Sequence, residues 1–113
     1  MEIQTHWGDE ARTNFIVSIA GNIDTSTADD LATSLTKAIQ HEPAVLTLDF
    51  ADVCYVTSAG LRVLLAAQKK TNALKRRMRL CNVNDSIQNV FAMTGFTDIL
   101  EIAGRGVKPD ETI

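Results

Sequence analysis

Cysteine is scarce in this chain of 113 residues: Cys54 and Cys81 are the only two. They form no Cys-x-x-Cys pair, and His6 and His41 lie far from both, so the spacing of a zinc site is missing. Two cysteines are too few to staple a small fold with disulfides. Both sit in apolar stretches, Val53-Cys54-Tyr55-Val56 and Leu80-Cys81-Asn82-Val83, which predicts buried free thiols. Long hydrophobic runs are also lacking, and none reaches the ~18 residues of a membrane helix. The opening Met1-Glu2-Ile3-Gln4-Thr5-His6 has no basic region followed by an apolar run, so it does not read as a signal peptide. The expectation is a soluble cytoplasmic protein that inserts in no membrane.

Positive charge is in short supply too. The formal net charge is −3, which gives no footing for direct nucleic-acid binding. One local run, Lys75-Arg76-Arg77-Met78-Arg79, reads either as a solvated turn after a helix or as a patch for an anionic partner. Catalytic signatures are missing as well. There is no Gly-x-x-x-x-Gly-Lys loop and no legible Ser-His or Cys-His pairing. Asp49 and Asp52 read as capping and turn residues rather than an acid–base pair, and His6 and His41 as solvated. Neither an enzyme nor a cofactor is expected, and the length excludes separate substrate and cofactor domains.

What is present is an ordinary globular balance, 45% hydrophobic and 22% charged residues. Ile3 to His6 alternates weakly and Phe15-Ile16-Val17-Ser18-Ile19 is β-rich, so the two predict a hairpin across the turn Gly8-Asp9-Glu10. Thr25 or Ser26 caps a helix in which Ala28, Leu31, Leu35, Ala38 and Ile39 share one face, ending before Pro43. Val45 to Phe50 is a central strand. A second helix runs from Ser58 to about Asn72, with Leu61, Leu64 and Leu65 apolar and Gln68, Lys69 and Lys70 solvated. Met78 to Cys81 is a strand. Asn84 or Asp85 caps a third helix that Gly95 closes, and Ile99 to Ile102 is a last short strand. Strands alternating with helices imply crossover units. The fold class is α/β: one domain over residues 1–103, with a mixed, mostly parallel sheet of four to five strands, an N-terminal hairpin and three main helices. Residues 104–113 read as a frayed tail.

The most informative stretch runs from Asp49 to Arg62. It is a strand leading through a loop into a helix whose first residues are small and hydroxylated, with Ser58 at or beside the N-cap. Ala59 and Gly60 leave the backbone there open to an approaching protein. Gly60 in a first turn costs up to ~1 kcal/mol against Ala, so something besides helix stability favours it. Physics alone makes Ser58 a cap. A phosphate there would add about −1.5 to −2 charges at a helix end that attracts anions.

Thr57-Ser58-Ala59-Gly60-Leu61-Arg62, preceded by Asp52-Val53-Cys54-Tyr55-Val56, resembles the signature of STAS domains, specifically anti-sigma factor antagonists. Gly21-Asn22-Ile23-Asp24 is similar to the family's turn before the first helix, and Phe91-Ala92-Met93-Thr94-Gly95-Phe96 to its closing segment. The resemblance implies a partner-switching protein. The unphosphorylated form binds an anti-sigma factor that is also a serine kinase, which frees a sigma factor. Phosphorylation on Ser58 ends the binding, and a serine phosphatase resets it. The partner-binding residues implied are Asp24, Thr25, Thr57, Ser58, Ala59, Gly60 and Arg62. Thr57 stands where many members carry an acidic residue, and it is a minor alternative acceptor. Asp24 reads either as a group that pairs with a kinase cation or as a local turn residue. Other readings are an accessory subunit of a lipid-transport ATPase, a stress-sensing scaffold and a nucleotide-binding protein. The oligomeric expectation is a monomer or weak dimer.

Overall fold

A computed structural model describes residues 1–103 and 107–110. Its elements are β1 (Glu2–Trp7), β2 (Asn14–Ala20), α1 (Ala28–Gln40), β3 (Val45–Asp52), α2 (Ser58–Ala73), β4 (Arg77–Cys81), α3 (Asp85–Thr94), a single 3-10 turn (Phe96–Asp98) and β5 (Glu101–Ile102). The five strands form one sheet in sequence order. β1 is antiparallel to β2, and the remaining pairs are parallel. This is the α/β architecture read from the alternation of strands and helices.

Successive strand residues face opposite sides, and here the two faces differ in chemistry. Phe15, Val17 and Ile19 of β2 lie beside Leu46, Leu48 and Phe50 of β3 and beside Met78 and Leu80 of β4. They form one buried cluster with Leu31 and Leu35 of α1, Leu61 and Leu64 of α2, and Ile87 and Phe91 of α3. The other face carries Asn14, Thr47 and Arg79. Thr47 Oγ1 donates to Asn14 Oδ1 at 2.6 Å and accepts from Arg79 Nε at 2.9 Å.

One sequence expectation changes here. The basic run is neither a wholly solvated turn nor an open patch. Lys75 has a positive φ at the turn, but Arg77 already lies in β4 and pairs with Glu101 of β5. Arg79 is buried, with its guanidinium held by Thr47 and the Pro109 carbonyl. Alternation in β4 turns Arg79 onto the polar face, where those acceptors wait. The expected frayed tail lies outside the described residues at 104–106 and 111–113. Where described, it is tied down: the Pro109 carbonyl accepts from Arg79 Nη2 at 2.7 Å and from Asn14 Nδ2 at 2.9 Å.

Smaller differences have local causes. Gln68, expected in solvent, is buried and donates to Asn72. Cys81 is buried, and burial pushes its thiol pKa up, whereas Cys54 is exposed because its apolar stretch falls in a loop. The N-cap of the first helix is Thr27, later than the expected Thr25 or Ser26, since Asp24 organises residues 24–27 into a turn ahead of it.

Candidate functional site

The sheet's C-terminal end carries two loops, one after β2 and one after β3. Backbone bonds clip them together. Gly21 N donates to Asp52 O at 2.9 Å, Ile23 N to Tyr55 O at 3.1 Å, and Thr57 N to Ile23 O at 2.9 Å. Ile23 and Val56 thus form a parallel bridge that prolongs the β2–β3 ladder past its irregularity at Ser18 and Ala20. The segments around Asp24 and Ser58, some 30 residues apart in sequence, are thereby held side by side.

On the first loop, Asp24 serves its own turn. Its Oδ1 accepts from Ser26 N at 2.9 Å, Ser26 Oγ at 2.6 Å and Thr27 N at 3.2 Å. The Ser26 hydroxyl is the main cause holding the Asp24 carboxyl below its ordinary 3.8, with the Ser26 and Thr27 contacts adding to it. Of the two readings of Asp24, the structure displays the turn residue. Thr25 is exposed beside it.

On the second loop, Thr57 rather than Ser58 is the N-cap residue of α2. Its Oγ1 reaches back to the Ile23 carbonyl at 3.4 Å and caps no helix N–H. Ser58 is the first helical residue and is exposed, and its hydroxyl makes no hydrogen bond among the described residues. The first turn of α2 has no acidic residue and no side-chain cap. An anion arriving at Ser58 therefore meets a helix end with its partial positive charge uncompensated.

Gly60 departs from its sequence reading. It is buried, and a Cβ there would lie 2.5 Å from Ile23 Cγ2 and 2.7 Å from Val56 Cγ1. Glycine at 60 lets α2 rest directly on the clip, instead of opening the backbone to a partner. Ala59 is half-buried, and Arg62, one turn beyond Ser58, is exposed and lines a shallow groove between α1 and α2 with Ala32, Thr36 and Lys70.

Sequence reasoning did not assign Asn84 to this site. Its Oδ1 caps α3 by accepting from Ile87 N at 2.8 Å. Its Nδ2 donates to the carbonyls of Val53 at 3.1 Å and Cys54 at 3.2 Å, bracing the loop that delivers Ser58. The cap was legible as an Asn before an apolar helix; the cross-loop bonds were not. Ile23, the clip itself, read only as one apolar residue in a turn. Chemically, the site offers a projecting hydroxyl with no base bonded to it among the described residues. That suits a recipient of a group delivered by another protein better than a nucleophile of its own.

Comparison with known proteins agrees with this geometry. The STAS domain family model matches residues 5–108. The chain is 33% identical over 86 residues to the anti-sigma-B factor antagonist of Listeria monocytogenes, covering 76% of this chain and 75% of that protein. It is 28% identical over 88 residues to the anti-sigma F factor antagonist of Paenibacillus polymyxa, covering 77% and 75%. In fold it is similar to an anti-sigma factor antagonist from Mycobacterium paratuberculosis, with a TM-score of 0.78 and 22% identity over 93% of this chain and 88% of that one. It is also similar to the anti-sigma factor antagonist SpoIIAA in its unphosphorylated form, with a TM-score of 0.73 and 17% identity over 92% and 90%. The clipped loops, the exposed hydroxyl at the head of α2 and these likenesses lead to one identification: the chain belongs to the STAS domain family, among the anti-sigma factor antagonists.

Proposed function

We propose that this protein is a switchable binding partner in a bacterial partner-switching system. Unphosphorylated, it binds an anti-sigma factor that is also a serine kinase and so releases a sigma factor. Phosphorylation on Ser58 ends that binding, and a serine phosphatase restores it. The observation that carries this reading is the exposed Ser58 hydroxyl, unbonded among the described residues, at the head of α2 beside the Ile23–Val56 bridge.

A phosphate there adds about −1.5 to −2 charges to a surface without disturbing any contact of the fold. At an interface, such a charge costs several kcal/mol, and each ~1.4 kcal/mol is tenfold in affinity. Thr57 is the poorer acceptor because it is half-buried and its hydroxyl is turned to Ile23. Asp24 and Thr25 on the neighbouring loop, together with Arg62 on α2, complete the face offered to the kinase.

The test is incubation with the anti-sigma factor kinase and ATP, followed by mass spectrometry. One phosphate is expected, on Ser58. Ser58→Ala removes it, and Thr57→Ala leaves it in place. Unchanged phosphorylation of Ser58→Ala overturns the assignment. Ser58→Asp is expected to weaken kinase binding by about tenfold or more while the circular dichroism spectrum stays native.

A further inference from the structure

β1 is an open edge. It pairs with β2 along its whole length, from Glu2 opposite Ala20 to Trp7 opposite Phe15, and no described strand lies on its other side. Sheet edges are ordinarily blunted by proline, lysine, a bulge or brevity. β1 has none of these devices, being six regular residues with neither Pro nor Lys, whereas the opposite edge, β5, has only two residues. On the helical side of the edge stand the half-buried Ile3 and Trp7. Beside them runs a groove of about 270 Å³ between β1 and α1, lined among others by Ile3, Thr5, Ser34, Lys37 and His41.

We propose that a second copy of this chain pairs antiparallel with β1 about a two-fold axis through Thr5, joining two sheets into one. An axis normal to the sheet keeps the helices of both copies on one side, so only residues on the same face can oppose each other. Centring on Thr5 places Ile3 opposite the second copy's Trp7, twice over, and Gln4 opposite its His6. Glu2 falls opposite Gly8, so no like charges meet. Centring on Gln4 would leave Ile3 opposite the polar Thr5 and Trp7 opposite Met1, which lies outside β1.

The helices agree with this register. Asp30, Ser34, Lys37 and His41 recur at helical spacing along one stripe of α1. A two-fold near Ser34 brings Asp30 of one copy towards Lys37 of the other, opposite in sign. With strands ~4.8 Å apart, the two β2 strands stand about 14 Å apart across the seam. That leaves room for the two α1 helices to pack at about 8–10 Å. The Asp24 and Ser58 loops lie at the strand ends, away from this edge, so each copy keeps its own site.

Sedimentation equilibrium across the micromolar range tests the proposal. The wild type is expected to dimerise. Thr5 is exposed, so Thr5→Lys should leave the melting curve native, yet it sets two ammonium groups opposite each other and should weaken the dimer about tenfold or more. In a Cys54→Ser background, Thr5→Cys is expected to form an interchain disulfide and Gln4→Cys is not. A monomer at all concentrations overturns the proposal. So does a dimer indifferent to Thr5→Lys, which would use another surface, or cross-linking at Gln4 in place of Thr5. Should Thr5→Lys fail to fold, the cross-linking result decides.

Discussion

Gly60 shows how one residue supports the site through the space its missing side chain leaves. Replacing it with Ala would gain up to ~1 kcal/mol of helix propensity. The added methyl would have to displace Ile23 and Val56, each already closer than 3 Å to its position. Overpacking of that kind costs about 1–3 kcal/mol, so the clash wins. Gly60→Ala is expected to lose up to roughly 2 kcal/mol net in urea denaturation, and to weaken partner binding through a shifted α2. Asp24 is a second case. Its carboxyl is lowered by the Ser26 hydroxyl, so the charged form is the one that holds the turn. A lowered folded pKa contributes stability above the unfolded value of about 3.8, and that contribution is lost as pH falls through the folded one. In an NMR titration, Ser26→Ala should raise the Asp24 pKa toward 3.8, and no change would show that the hydroxyl has no such effect.

At the scale of elements, α3 and the loop ahead of α2 are coupled through Asn84. Its side chain accepts at the head of its own helix and donates to two carbonyls of the neighbouring loop. Asn84→Ala removes both functions and is expected to cost about 1–2 kcal/mol. Asn84→Asp keeps the acceptor and removes the donor. It should retain most of the helix stability while amide exchange quickens over residues 53–57. If both variants leave exchange in that loop unchanged, the bracing has no energetic weight. The element boundaries themselves were largely legible, because α1, α2 and α3 carry apolar residues at helical spacing and Gly95 closes α3 in the left-handed conformation that glycine favours. The start of α1 was not. Thr25, Ser26 and Thr27 all suit a cap by residue type, and only the Asp24 turn selects Thr27.

For the whole molecule, the polar face of the sheet depends on a segment distant in sequence. The 107–110 stretch supplies the Pro109 carbonyl to Arg79 and Asn14. A chain ending at Ala103 leaves a buried guanidinium short of an acceptor, which costs about 1–3 kcal/mol. A matching fall in the denaturation midpoint is expected, and an unchanged midpoint would show that water replaces Pro109 at no cost. Arg77 and Glu101 contribute less, since both side chains are more than a third exposed and solvent screens them.

By itself the sequence determined the α/β class, the order of its elements, the apolar face of each helix and the hydroxylated turn at Ser58. All of these rest on local periodicity and residue type, which a chain carries whatever its neighbours. Only the tertiary structure decided that Gly60 is a packing residue, that Arg79 is buried, that Cys54 is exposed and that Asn84 braces the Ser58 loop. Cys54 is exposed because the fold leaves its stretch in a loop. The roles of Gly60, Arg79 and Asn84 depend on atoms some 30 residues or more away in the chain, brought into contact by the parallel crossovers and the Ile23–Val56 bridge. Local pattern cannot encode such contacts, because they exist only once the sheet has set which loops lie side by side.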